Sequence, residues 1–350
     1  MMPFVLILAM IPLPALAAPD LRPALVRPSS GQEESSVTLA FTGDTLIHMG
    51  VSRAASRYGD PYDFAPLFRE VRPVIAGADL AICHLEVPLS PDSSDLSGFP
   101  RFSAPAEVAQ GLATTGFDGC STASNHSLDR GVTGIIDTLD ILDAAGLRQA
   151  GMYRSDGDNW DATIYEVGGA RIAHLSATYW FNGLDLPEDR AYMAQVLDVE
   201  QVLRYARRAK GAGADLVVVS AHCCLEYQTM PTSRQVELYR ALIESPFVDL
   251  VVSHHAHVVQ PVERIGGEFI LYGLGNFVSG QFFLPNTSDG VIAMVTALKD
   301  DVGWRFEEVE VVPTTVSQGT YLVEPAVQGS ASYARTMETM NLMGAGVSVF

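Results

Sequence analysis

Short apolar runs rich in β-branched residues recur along the chain at residues 37–41, 80–83, 117–122, 216–220 and 250–253. Uninterrupted apolar runs of this length, bounded by polar and turn-forming positions, predict strands buried on both faces. Between most of them the pattern changes to helical spacing. Over 129–145, Val132, Ile135, Ile136, Leu139 and Leu142 recur on one helical face, and 105–115, 199–212 and 233–244 also read as helices. The second half adds hairpins: residues 163–167 and 171–177 flank Gly168-Gly169, and 258–265 and 268–274 flank Gly266-Gly267. Residues 291–298 and 305–312 read as a further antiparallel pair. Strands alternating with amphipathic helices predict an α/β fold. The expected architecture is a single two-sheet α/β sandwich over residues 37–325, followed by a loose tail over 326–350. No internal repeat is visible.

The first 17 residues follow a different pattern. They are apolar, uncharged, interrupted by prolines, and end in Ala15-Leu16-Ala17, a small-x-small cleavage pattern. The run is shorter than the roughly 20 residues that span a bilayer. A cleaved export signal is therefore expected, although the usual basic residue before the apolar run is missing. Residues 18–36, rich in Pro, Ser, Glu and Gln, read as a flexible leader. These features predict a periplasmic, secreted or cell-surface protein with no integral span in the mature chain.

Composition narrows the partners. Hydrophobic residues make up 48% of the 350 positions and charged residues 18%, enough apolar material for a sizeable core. The net charge of −19 argues against nucleic acid, whose phosphates are bound by clustered Lys and Arg. An anionic substrate would need a local positive centre, and a bound metal would supply one. Of the four cysteines, Cys83 and Cys120 fall late in strand-like runs. Either a cross-strand disulfide or buried free thiols fits them. No CxxC pair is present, so a cysteine zinc site is not expected.

Candidate chemistry gathers at the ends of the apolar strands, where open α/β sheets place their ligands. Asp44 and His48 follow the first, and His84 and Glu86 close the second. Asn125, His126 and Asp129 lie in the loop between the third and the helix that follows. His222 and Glu226 follow a run of valines, and His254, His255 and His257 follow the last strand. Seven of the eight histidines lie in these five segments, His174 being the exception. Each segment alone has an ordinary explanation, such as Asp44 or Asp129 capping a helix or His222 satisfied in a core. Three histidines in four positions straight after an apolar strand are harder to explain by packing. Imidazole suits Zn, Fe, Mn or Ni, and mixed Asp, Glu, Asn and His donors are the ligand set of dinuclear hydrolytic sites.

With these segments in order, the chain resembles the CapA family of poly-γ-glutamate capsule synthesis proteins, related to the calcineurin-like metallophosphoesterases. The resemblance runs from about residue 37 to 312. It rests on Thr42-Gly43-Asp44, His84-Leu85-Glu86, the segment Asn125 to Gly131, His222 to Tyr227, Ser253 to Gln260, and Tyr272 to Phe277. His84 stands where the family has Asn, Cys224 where it has Gly, and Ser253, Ala256 and Gly273 replace Gly, Pro and Ser. The resemblance implies a four-layered metallophosphoesterase sandwich with two divalent ions (Mn, Zn or Fe). Asp44, His48, Glu86 and His257 would hold one, and Glu86, Asn125, His222 and His255 the other, with Glu86 bridging. His126 would be the general acid, oriented by Asp129. His84, Glu226 and Asn276 would brace the ligands, and Arg101 is a candidate contact for an anionic substrate. The implied role is production of an envelope polymer, by hydrolysis of a phosphoester or of the polymer itself. Two alternatives are a non-catalytic polymer-binding or transport component working with capsule-synthesis subunits, and a periplasmic phosphoesterase of another substrate.

Overall fold

A computed structural model describes residues 35–350 except Ser94 and residues 157–160. The expected signal segment 1–17 and nearly all of the leader 18–36 lie outside the described residues. The chain first lays down β1 (Ser36–Thr45), β2 (Leu80–Leu85), a short pair β3 (Leu89–Ser90) and β4 (Ala104–Pro105), then β5 (Gly119–Ser121) and β6 (Arg148–Ala150). It next builds a second sheet from β7 (Thr163–Val167), β8 (Ala170–Thr178), β9 (Leu216–His222), β10 (Leu250–His254), β11 (Val259–Ile265) and β12 (Glu268–Leu274). Finally it returns to the first sheet with β13 (Asn276–Val278), β14 (Asp289–Lys299), β15 (Trp304–Val316), β16 (Val323–Pro325) and β17 (Ser348–Val349).

The order in the first sheet is β16-β15-β14-β1-β2-β5-β6, with β13 also beside β1 and β17 beside β15. In the second it is β11-β12-β10-β9-β8-β7. Strands β1, β2, β5 and β6 are mutually parallel, as are β8, β9, β10 and β12. The three hairpins expected from the sequence, β7-β8, β11-β12 and β14-β15, are antiparallel as read.

Alternation along each strand assigns side chains to layers. Val37, Leu39 and Phe41 of β1 meet Leu216 and Val218 of β9 and Leu250 and Val252 of β10 between the sheets. The opposite faces are covered by helices. Val51 and Ala54 of α1 (Met49–Ala55), Ile75 of α2 (Arg72–Ile75) and Val108 and Leu112 of α3 (Glu107–Thr115) pack outside the first sheet. Leu142 of α4 (Gly131–Ala144) joins them. Outside the second sheet lie Val202 and Ala206 of α5 (Val199–Gly211) and Leu238, Tyr239 and Leu242 of α6 (Ser233–Ile243). The result is the four-layered α/β sandwich. Each large apolar side chain buried between layers contributes about 1.5–3 kcal/mol.

Residues beyond 325 differ from the loose tail expected. They carry α7 (Ala331–Met340), capped by Ser330, whose side chain accepts from the Tyr333 amide. Arg335 Nε donates to buried Asp289 at 2.8 Å, and Ser332 Oγ donates to the same carboxylate at 2.6 Å. Few of its residues are strongly apolar, which is why periodicity missed it. Cys83 and Cys120, opposite one another on β2 and β5, form a disulfide, and so do the neighbours Cys223 and Cys224. No helix among the described residues is long and apolar enough to cross a membrane.

Candidate metal centre

The C-terminal ends of β1, β2, β9 and β10 converge on one buried polar cluster. Asp44 sits where the β1–β2 register shifts, and His84 lies opposite it on β2. Gly43 is required beside it, because a Cβ there would collide with the Gly275 carbonyl oxygen. His222 and His254 are register partners closing β9 and β10. After β10 the chain turns through His255 and His257 with φ of 89° and 54°. Left-handed conformation costs a non-glycine residue about 1–2 kcal/mol, and such residues concentrate at functional sites. Here the turn is tied down by the Tyr227 amide donating to the Ala256 carbonyl at 2.8 Å.

Around His257 the acids gather. Its Nδ1 lies 3.0 Å from Asp44 Oδ2 and 3.2 Å from Asn276 Oδ1, and its Nε2 lies 3.6 Å from both Glu86 Oε1 and Glu226 Oε1. Asn276 is itself fixed by donating to the Thr287 carbonyl and Gln281 Oε1. Burial works against a charge on His257, yet Glu86, Asp44 and Glu226 together hold its pKa well above the ordinary value. His222 Nε2 lies 2.9 Å from Asn125 Oδ1 and 3.8 Å from the same Glu86 Oε1. Donor atoms of Glu86, His255 and His257 lie within 4.8 Å of one another, as do those of Asp44, His84 and His222.

Beside this cluster, His126 Nδ1 lies 2.6 Å from Asp129 Oδ2, which also accepts from the Phe102 amide at 2.7 Å. The Phe102 ring stands edge-on to both His126 and His48. Arg101, adjacent to Phe102, is exposed. His48 is placed differently from the other expected ligands. Its Nδ1 accepts from the Gly280 amide at 3.0 Å, and it belongs to neither three-donor group.

Two neighbours carry no assigned role in the sequence reading. His254 has Nδ1 3.4 Å from Asp44 Oδ1, and its ring stacks on His84 with centroids 3.9 Å apart. Asn182 accepts from Asn125 Nδ2 at 3.3 Å, fixing which amide atom faces inward. The inward side of β10 could have indicated His254, since it continues the Leu250, Val252 alternation. Asn182 lies in a loop without periodic signal.

The two central carboxylates are driven apart. Burial would raise the pKa of Asp44, but contacts with His254 and His257 take it well below the carboxylate range. Burial raises Glu86 well above that range, and Asp44 adds to the effect despite His257. Both Glu86 oxygens are buried without a hydrogen-bond partner, as is His255 Nδ1. Burial, then the charge of His257, lowers His255 to about 4, so its imidazole is neutral and free to donate a lone pair. Burying an unpartnered carboxylate is costly, and the ion pairs of Asp44 and Glu86 among the described residues are all with histidines. Imidazoles, an amide oxygen and two carboxylates without a compensating Lys or Arg are compatible with divalent metal binding.

Residues 38–281 match the family described as "Bacterial capsule synthesis protein PGA_cap". The chain belongs to this family. Among its PGA_cap relatives, the capsule biosynthesis protein CapA of Bacillus anthracis is 29% identical over 307 residues, covering 85% of this chain and 72% of the relative. The PGA biosynthesis protein CapA of Bacillus subtilis is 28% identical over 287 residues, covering 81% and 73%. In three dimensions the PGA_cap sandwich matches the calcineurin-like phosphoesterase YfkN of B. subtilis with a TM-score of 0.52 at 11% identity, over 87% of this chain and 96% of that one. The fold is therefore that of the calcineurin-like phosphoesterases.

Proposed function

We propose that this PGA_cap protein is an exported metal-dependent hydrolase of capsule polymer production, with a dinuclear centre bridged by Glu86. The observation that carries this reading is the buried Glu86 carboxylate, both of its oxygens without a hydrogen-bond partner, with His257 Nε2 and His222 Nε2 at 3.6 and 3.8 Å from Oε1 and His255 in the same donor group. Asp44, Glu86 and His257 would hold one ion, and Glu86, Asn125, His222 and His255 the other, with His48 as an outlying candidate ligand of the first. Two such ions supply Lewis acidity and lower the pKa of a bound water. The chain's own groups do the rest. Asp129 accepts from His126 Nδ1 and leaves Nε2 to protonate a departing oxygen. Asn276 and Glu226 hold His257 from opposite sides, and exposed Arg101, next to Phe102, is a candidate contact for an anionic group.

The names of the CapA relatives support a poly-γ-glutamate or other capsule polymer as the setting, and the fold supports a phosphoester as the bond attacked. Export rests on the pattern of residues 1–17, and a mature N-terminus near Ala18 by terminal sequencing would test it. The hydrolase reading is tested with bis(p-nitrophenyl) phosphate and with γ-linked glutamate oligomers as substrates of Mn²⁺- or Zn²⁺-loaded protein. Metal-dependent turnover of either, lost in His126→Ala, is the expected result. Loaded protein that binds the polymer and turns over neither substrate would favour an assembly or transport role.

A further inference from the structure

Beneath the centre, His84 is fully buried and both of its ring nitrogens are engaged. Nδ1 lies 2.8 Å from Ser121 Oγ, and Nε2 lies 2.9 Å from Nδ1 of His222. His222 extends the chain through Nε2 to Asn125 Oδ1, while Ser121 Oγ lies 3.3 Å from the Cys83 carbonyl. His254, stacked at 12° to the His84 ring, fixes the plane in which these bonds lie.

A neutral imidazole has one donor and one acceptor, and its tautomer is set by its partners. The chain can therefore run in only two directions. In one, His222 Nε2–H donates to Asn125, His84 Nε2–H donates to His222 Nδ1, and the Ser121 hydroxyl donates to His84 Nδ1. In the other, the His222 Nε2 lone pair is free for a cation and its proton sits on Nδ1. His84 Nε2 then accepts that proton's hydrogen bond, His84 Nδ1–H donates to Ser121 Oγ, and the hydroxyl turns to the Cys83 carbonyl. Each His–His and His–Ser bond survives the reversal, and no charge enters the interior. A side chain that only accepted would suit one direction, and an alkyl side chain neither.

We propose that His84 is a positioning residue that adapts His222 to metal loading by exchanging its own tautomer, so that the outward nitrogen of His222 is available when a cation arrives. This rests on the metal centre proposed above. Outer partners of ligating histidines are worth about 10–100-fold in metal affinity. Asparagine offers a donor and an acceptor on one side chain and can serve both directions. His84→Asn should therefore bind metal nearly as the parent does, and His84→Leu should not.

The test strips the full chain with chelator and titrates Zn²⁺ against a chromophoric competitor. Circular dichroism checks that each variant is folded. His84→Leu should weaken one of the two ions by about 10–100-fold and His84→Asn by less than about threefold. In the parent, long-range ¹⁵N–¹H NMR should show His84 protonated at Nε2 without Zn²⁺ and at Nδ1 with it, a readout that does not depend on the leucine variant folding. Undiminished Zn²⁺ affinity in folded His84→Leu overturns the proposal. So does an unchanged His84 tautomer, or a ¹⁵N shift showing that His84 itself ligates Zn²⁺. A parent that takes up no Zn²⁺ overturns the metal centre and this inference together, whereas a metal-binding parent with an indifferent His84 overturns this inference alone.

Discussion

The lower and upper halves of the space between the sheets are built on the same strands by the same alternation, yet they do opposite things. In the lower half, inward positions are Leu80 and Ile82 on β2, Leu216 and Val218 on β9, and Leu250 and Val252 on β10. One or two steps further the same faces present His84, His222 and His254, with His174 and Ser220 forming a transition layer joined at 2.9 Å. The lower half releases apolar surface from water and stabilises the fold. The upper half buries carboxylates and imidazoles that cost stability until they find partners. A change of residue type along an unchanged register converts core into site.

Substitutions should therefore separate the halves. The largest effect belongs to the upper one. His126→Ala should lower turnover about 10²–10⁴-fold while metal content and thermal midpoint stay near those of the parent, measured by steady-state kinetics and elemental analysis. In the lower half, Leu250→Ala should cost about 2–5 kcal/mol by urea denaturation, with metal content per folded molecule unchanged. Loss of metal in that variant would mean that the halves are not independent.

The transition layer predicts a pH dependence. Burial, with the nearby charge of His254, lowers His174 to about 3. The unfolded chain then takes up the proton first, near the ordinary histidine value of about 6.5, so stability falls as pH drops below that value and the loss levels off near 3. Between pH 7.5 and 5.5 this one group should cost metal-free protein about 1 kcal/mol. His174→Gln should remove that part of the slope, read from denaturation curves at the two pH values. The smallest effect is expected at exposed Arg101. Arg101→Ala should raise KM for an anionic substrate by up to about fivefold with kcat little changed.

Much of this arrangement was legible in the sequence because it is periodic. The β-branched runs marked β1, β2, β9 and β10, the Gly-Gly pairs marked two hairpins, and the spacing from Val132 to Leu142 marked α4. The residues closing those runs were therefore readable as a cluster. What escaped depends on tertiary contact or on weakly apolar residues. α1 buries small residues such as Ala54 and Ala55, and α7 buries Thr336 and Thr339, so neither has a strong apolar stripe. The aim of His255 and His257 escaped because their left-handed backbone turns the chain after β10, which alternation cannot foresee. His48 is given as a ligand by the family resemblance, and the engagement of its Nδ1 by the Gly280 amide, from a distant segment, could not be read from the sequence.

The most direct measurement is the metal content of the purified full chain after reconstitution, beside that of Glu86→Gln, with the metal-free stability of both. If Glu86 is the shared ligand of a dinuclear centre, the parent carries about two equivalents of divalent metal. Glu86→Gln should then lose metal while its stripped form is about as stable as the stripped parent, because burial already disfavours the charged carboxylate and neither side chain has a hydrogen-bond partner there. A parent that stays metal-free after reconstitution, or a Glu86→Gln variant that keeps both ions, would contradict the account.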